Sequence, residues 1–404
     1  MDEISLIEEE QEESDKPPSI RPRPARSWRV AVIANVKGET PLPFDGPEDA
    51  GAEFDRKETI QAILSAIQSD GHQAIFLSAD DNLPFALRDV QPDICFNISE
   101  GLSGDAREAQ VPALLELFRI PYTASRVLAN AIALDKTMTK RIWRDHGLPI
   151  AEFQEFVSGC EPVSPVLKYP LFVKPSREGT GMGMDSQSIV GNEKQLRRRV
   201  NWVIQKYHQP ALVEEYLPGR EFTIGVLGRI DAASYSPHPG YYREDGFHRF
   251  PVLEVDNTQT VTPGVYGHAA KSLAWDEAGV PGFICPADVD PVLAQSLQDL
   301  ALQAHLTIGA LDVSRSDFRL DAQGQPRLLE INSLPGLTPG FSDLCVMANA
   351  EGITYQDLIL EILYLGASRF DLLQPAHIPE FSPVRVAAFE APLGRSNHIW
   401  YKPE

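Results

Sequence analysis

The chain predicts an α/β unit followed by an α+β body, and three observations carry that reading. From residue 28 to about 130, apolar strands alternate with helical patterns, as in a small, mostly parallel sheet. Beyond it, the strand PLFVKPS runs into a glycine-rich loop, SREGTGMGMD. Near the C-terminus two strand-like runs, SDFRL and RLLEIN, flank the polar turn AQGQ and read as an antiparallel hairpin.

Taken in order, residues 1–27 form an acidic tail that ends in PPSIRPRPARS and by composition is expected to be disordered. Order is expected to begin at WRVAVIAN, an apolar run that reads as a buried strand. RKETIQAILSAIQSDG is a helical pattern stopped by Gly71, and HQAIFLSA and DICFNIS are further strands. REAQVPALLELFRI reads as a helix and IPYTAS as a short strand or turn, which completes an N-terminal domain at 28–130. A central lobe at 131–216 holds the helices RVLANAIALD and KTMTKRIWRDHG, the strand PLFVKPS, the helix EKQLRRRVNWVIQKY and the strand ALVEEYL. A C-terminal lobe at 217–366 holds EFTIGVLG and the hairpin, and 367–404 is expected to be a surface extension.

Composition narrows the function classes. A formal charge of -21 argues against a nucleic-acid surface, although part of it belongs to the tail. No apolar run approaches the roughly 18 residues of a membrane span. The acidic N-terminus is the opposite of a signal peptide, and the four scattered cysteines form no metal or redox spacing. A cytoplasmic location is the expectation.

The hairpin bears the sharpest chemical signal. Centred between Gln323 and Gly324, it sets Asp317 opposite Glu330 and Arg315 opposite Asn332, all on one face. Opposed carboxylates repel and normally need something between them. A hard cation taking oxygen from Asp317, Glu330 and Asn332 is the natural occupant, and Mg²⁺ so held usually carries phosphates. Alone, such a hairpin is more often a solvated turn with scattered acids.

Weaker signals accompany it. Lys174 ends a strand before the loop containing Gly179, Gly181 and Gly183, where closely approaching backbone amides suit phosphates. The string is neither a P-loop nor a dinucleotide fingerprint, and a plain flexible turn explains it equally well. Glu214 at a strand end and Glu221 after Pro-Gly could read an adenine amino group and ribose hydroxyls, or be solvated charges. Lys136 and Lys140 share a helix face, where solvent exposure is the expectation.

Together, FNISEGLSGDAREAQVPALLELFRIPYTAS, ALDKTMTKRIWRDHGLPIAEF, PLFVKPSREGTGMGM, ALVEEYLPGREFTIGVLG and RSDFRLDAQGQPRLLEINSLPGLTP closely resemble the D-alanine–D-alanine ligase branch of the ATP-grasp superfamily. The resemblance spans roughly residues 28 to 365 and implies an ATP-grasp fold with an N-terminal Rossmann-like, pre-ATP-grasp domain. It implies an ATP-dependent carboxylate–amine ligase working through an acyl phosphate. Lys136, Lys174 and the amides of Gly179, Gly181 and Gly183 would hold ATP phosphates. Glu214, with the backbone at Tyr216 and Leu217, would read adenine, and Glu221 the ribose. Asp317, Glu330 and Asn332 would hold Mg²⁺, with Mn²⁺ an alternative. Arg315 would stabilise the acyl phosphate, with Lys271 and Thr180 also on the catalytic side. Small amino-acid, carboxylate or amine substrates are the expected partners, with no nucleic acid or membrane, and a homodimer is carried as an expectation.

Departures from the family fall on the substrate side. The glycine pair and glutamate that follow the family's first strand are not legible in IANVKGETP, and Glu53, Asp55 and Glu58 are the nearest acids. Thr180 replaces the family's loop serine, and Lys271-Ser272 stands where the family has Lys-Tyr. D-Alanine–D-alanine synthesis is the leading single activity implied. The alternatives are a specialised-metabolite ligase and a silent nucleotide-binding regulator.

Overall fold

A computed structural model describes residues 27–42, 46–256, 265, 267 and 282–373. The expected tail, apart from Ser27, lies outside the described residues, as do Lys271, Ser272 and the chain beyond Leu373. The first elements are β1 (Arg29–Ala34), α1 (Lys57–Ser69), β2 (Gln73–Ser78), α2 (Leu83–Val90) and β3 (Ile94–Asn97). Parallel strands need long crossovers, and α1 and α2 lie in two of them. The sheet order is β2-β1-β3, with β1 buried at every residue after Arg29. IPYTAS contributes one bridge, Tyr122 to Cys95.

Three short helices follow: α3 (Gln110–Phe118), α4 (Val127–Leu134) and α5 (Lys136–Asp145). Asp135 caps α5, its carboxylate accepting from the Met138 amide at 2.9 Å. That cap fixes Lys136 in the first turn. Next come β4 (Phe153–Phe156), β5 (Leu171–Pro175), β6 (Ile189–Val190), α6 (Glu193–Tyr207) and β7 (Ala211–Glu215). The four strands pair antiparallel in the order β4-β7-β5-β6, and α6 buries Leu196, Val200 and Val203 against them.

The last group comprises β8 (Glu221–Gly228), β9 (Phe247–Arg249), β10 (Leu253–Asp256), β11 (Gly282–Ile284), α7 (Pro291–Thr307), β12 (Asp312–Leu320), β13 (Pro326–Asn332), α8 (Asp343–Ala350) and α9 (Tyr355–Ser368). Its sheet runs β11-β10-β8-β12-β13, with β9 also on β8. Leu297, Ala301 and Ala304 of α7 share a core with Ile224 of β8 and Phe318 of β12.

In the hairpin, Asp317 pairs with Glu330 and Arg315 with Asn332. The turn is centred on Gln323, because Leu320 pairs with Pro326. A β-bulge between Asp317 and Phe318 leaves Leu329 without an opposite number and restores the acidic pair to register.

Two expected domain limits cut through helices. The 130/131 limit falls inside α4, where the helical pattern is continuous across it. The 366/367 limit falls inside α9, which returns to the N-terminal sheet. Ile359 and Leu363 of α9 lie in one core with Val30, Val32 and Ile63. Gly366 permits that approach, since a Cβ there would stand 2.9 Å from the Thr123 Cα. Arg369 then donates to the carbonyls of Tyr122 and Ala124 and pairs with the buried Asp312 at 3.0 Å.

Candidate active site

Two lysines from separate elements approach Glu330 of the hairpin. The Lys136 ammonium, from α5, lies 3.5 Å from the Glu330 carboxylate and also donates to the Glu178 carbonyl. The Lys174 ammonium, from β5, lies 4.0 Å from it. Glu214, on β7, is 2.9 Å from both Lys174 and Lys140. Lys140 also donates to the Leu328 carbonyl at 3.1 Å.

The expectation that Lys136 and Lys140 face solvent is therefore corrected. Both are buried, Lys140 completely. Their shared helix face points inward because Glu214 and the hairpin supply oxygen there, which compensates the loss of water. Burial pushes the Glu214 carboxyl up, but the two ammonium groups prevail and hold it below its usual range. Burial keeps Lys140 below the ordinary lysine range, whereas for Lys174 the fields of Glu214 and Glu330 outweigh burial and raise it. The result is a fixed charge array, not a set of mobile surface lysines.

Lys174, Glu214, Tyr216, Leu217, Glu221, Asp317 and Glu330 line one cleft between the second and third sheets. Arg319, which the sequence reading did not single out, also lines it. Its guanidinium lies over the Tyr216 ring at 5.2 Å, donates to the Gly219 carbonyl and stands 3.7 Å from Glu221. The only signal for it was its period-two spacing from Asp317.

Arg315 is nearly buried and donates twice to Asp317, at 2.9 and 3.0 Å, with Asp343 at 3.4 Å. These carboxylates outweigh burial and raise its pKa further, so its charge is permanent. Asp317 also accepts from the Thr223 hydroxyl at 2.6 Å. The Asn332 side-chain amide has a buried nitrogen with no hydrogen-bond partner. The carboxylates of Asp317 and Glu330 and the carbonyl oxygen of the Asn332 side chain are hard oxygen donors of the kind that suit a cation such as Mg²⁺, while the unpartnered N–H group calls for an acceptor oxygen.

A second cavity, of about 100 Å³, opens on the other side of Glu330. Arg315, Asn332, Lys136, Gly179 and Thr180 line it, together with Glu53, Glu100 and Glu108. Glu53 reaches the glycine loop, accepting from the Gly179 amide and from Arg107 at 2.7 Å. Asp49 does the same further along, accepting from the Gly183 amide at 2.9 Å and the Tyr207 hydroxyl at 2.8 Å. Two of the loop amides expected to face phosphates are thus engaged by carboxylates here. A Cβ at Gly179 would collide with Glu53, and one at Gly183 would lie 2.7 Å from Pro175. Of the N-terminal acids left open by the sequence, Glu53 is the one beside Thr180.

Residues 142–364, more than half of the chain, match the family model for the D-ala D-ala ligase C-terminus. The chain belongs to the D-alanine–D-alanine ligase family. It shares 34% identity with a D-alanine–D-alanine ligase of Bordetella avium, over 63% of this chain and 73% of that protein. It is 33% identical to an uncharacterized protein, y4sG, of Sinorhizobium fredii, over 85% of this chain and 98% of the other. The fold matches that of an ATP-complexed D-alanine–D-alanine ligase from Bacillus anthracis, with a TM-score of 0.62 and 18% identity, covering 85% of this chain and 98% of that one. As a D-alanine–D-alanine ligase family member, the chain is an ATP-dependent ligase that forms an amide bond. No helix among the described residues is long and apolar enough to cross a membrane.

Proposed function

We propose that this ligase activates a small carboxylate substrate with the γ-phosphate of ATP and passes the acyl group to an amine beside Arg315. The carrying observation is the convergence of Lys136 and Lys174 on Glu330, one strand across from the Arg315–Asp317 pair. In the first step a carboxylate oxygen attacks the γ-phosphorus, the bond to the β-phosphate oxygen breaks, and ADP leaves. In the second, the amine nitrogen attacks the acyl carbon, inorganic phosphate departs, and the nitrogen sheds a proton.

The residues divide this work between two cavities. Lys174 and Lys136 lie where the transferred phosphate would pass, and fixed ammonium groups there cost no reorganisation during reaction. Glu214, Tyr216, Leu217 and Glu221 would receive adenine and ribose in the first cleft. Asp317, Glu330 and Asn332 would hold Mg²⁺, or Mn²⁺ in its place, which when bound neutralises phosphate charge. Arg315, locked by Asp317 and Asp343, would face the oxygen that gains charge as the tetrahedral centre forms. Thr180 and Glu53 border the amino-acid side, and Lys271, assigned to the catalytic side by the family resemblance, lies outside the described residues. A cytoplasmic site of action fits the need for ATP.

The test incubates the protein with ATP, Mg²⁺ and a matrix of D- and L-amino acids and other carboxylates and amines. Phosphate release should appear with particular pairs, and mass spectrometry should find their condensation product. ATP binding without phosphate release for every pair would overturn the reading.

A further inference from the structure

The connection from β1 to α1, residues 35–56, is far longer than the roughly two to six residues usual between a strand and its crossover helix. Connections of that length are most often functional or without a fixed structure. This one leaves the N-terminal sheet and reaches the glycine-rich loop after β5. Asp49 makes the farther contact. One of its carboxylate oxygens accepts from the Gly183 amide at 2.9 Å and from the Tyr207 hydroxyl, at the end of α6, at 2.8 Å.

Gly183 is gripped from the other side as well. Its carbonyl accepts from the Arg199 guanidinium at 2.6 Å. Arg199 is buried on α6, donates to Asp185 at 3.1 Å and Ser188 at 3.0 Å, and lies over the Trp202 ring at 4.1 Å. It therefore holds that carbonyl from a fixed base. The tip of the loop is different. Thr180 has φ +49°, a conformation that costs a β-branched residue, and Gly181 has φ +69°. Neither tip residue's amide has a hydrogen-bond partner among the described residues. The loop is thus anchored at Gly183 and unengaged at its tip, where Thr180 borders the cavity shared with Lys136 and Glu330.

Backbone amides stabilise a phosphate best when they are free of other partners and already in place. We propose that Asp49 is a positioning residue for the ligase. It latches the glycine loop to the N-terminal domain through Gly183 and Tyr207, and so keeps the free amides of Thr180 and Gly181 over the phosphates of ATP. This rests on the ligase reading and assigns Gly183 to anchoring the loop, not to contacting phosphate. Because the latch spans two domains, the loop is held over the nucleotide only while the N-terminal domain is docked against α6.

The experiment uses the full chain and two variants. Asp49→Ala removes both contacts, whereas Asp49→Asn keeps an oxygen that can accept from both donors. Amide hydrogen exchange, read by mass spectrometry without ligand, should show lost protection in the peptide containing Gly183 of Asp49→Ala. Peptides from β5 and β7 should keep theirs, which checks the fold. Calorimetric affinity for a non-hydrolysable ATP analogue with Mg²⁺ should fall roughly tenfold in Asp49→Ala and recover most of the way in Asp49→Asn. Unchanged exchange at Gly183, unchanged analogue affinity in Asp49→Ala, or no recovery in Asp49→Asn overturns the proposal. Lys174→Ala, measured beside them, separates the two failures. Affinity lost there but kept in Asp49→Ala sinks the latch alone, and affinity kept in both sinks the ligase reading with it.

Discussion

Lys140 sits wholly inside the protein with its ammonium 2.9 Å from the Glu214 carboxylate. It lines neither cavity, so its task is to hold Glu214 ionised and in place beside Lys174. Removing one member of a buried pair leaves the other charge uncompensated, at about 3–5 kcal/mol. Lys174 still faces Glu214, so Lys140→Met should cost about 3 kcal/mol, the lower end of that range. Urea unfolding measures it, and a loss below about 1 kcal/mol would show that Lys174 alone suffices.

Lys174→Ala removes a cation facing the nucleotide cleft. A charge-assisted contact contributes on the order of 1.5–3 kcal/mol. Nucleotide affinity should therefore fall roughly ten- to a hundredfold, as read by calorimetry. Unchanged affinity would remove Lys174 from the phosphate site.

Glu330→Gln keeps the shape of the side chain and deletes one anionic oxygen from the face shared with Asp317. It should abolish Mg²⁺-dependent ATP turnover while leaving the unfolding midpoint close to wild type. Full turnover in a folded variant would exclude Glu330 from the metal set.

The Glu108 carboxyl, raised from 4.5 to about 7 by burial and by Glu53, makes a signed prediction. The folded state binds the extra proton between those values, so Glu108 contributes stability below about pH 4.5 that is lost as pH rises through about 7. Across that window the wild type should lose stability relative to Glu108→Gln as pH rises. Chemical denaturation at pH 5 and pH 8, without ligand, gives the difference. A pH-independent gap between the two proteins would contradict the shift.

A chain beginning at Ser27 should keep both its melting temperature and its turnover. Trp28 is buried, stacks on His72 at 4.7 Å and donates its backbone amide to the His72 ring Nδ1 at 3.1 Å. Those contacts survive the truncation, and the acidic, proline-rich segment before them is poor in the apolar surface that docking requires. A clear drop in either quantity would mean that the segment docks on the body.

The hairpin was legible because strand chemistry has period two and the turn marks its own centre. Even the bulge did not hide the Asp317–Glu330 pair, since its extra residue offset the shift of the turn. Lys140 was misread because nothing in LDKTMTK announces a carboxylate from the distant strand ALVEE. Glu100, Arg107 and Glu108 lie in a loop and a single 3₁₀ turn with no period to read, and their meaning arises only when Glu53 and the glycine loop close over them. Helix α9 escaped for the opposite reason: buried on every side from Leu358 to Ser368, it shows no polar face to give the helical period.

That same helix sets the order in which the molecule can be finished. The first sheet's face that carries Val30 and Val32 is covered in part by α1 and completed only when α9, more than three hundred residues after β1, joins the same core. Such a contact is among the most distant a chain of 404 residues can make, and distant contacts form late. During synthesis the strands of this sheet must wait on the ribosome, apolar and half-clad, for α9 to emerge, and a chaperone that shields them in that interval would decide the yield.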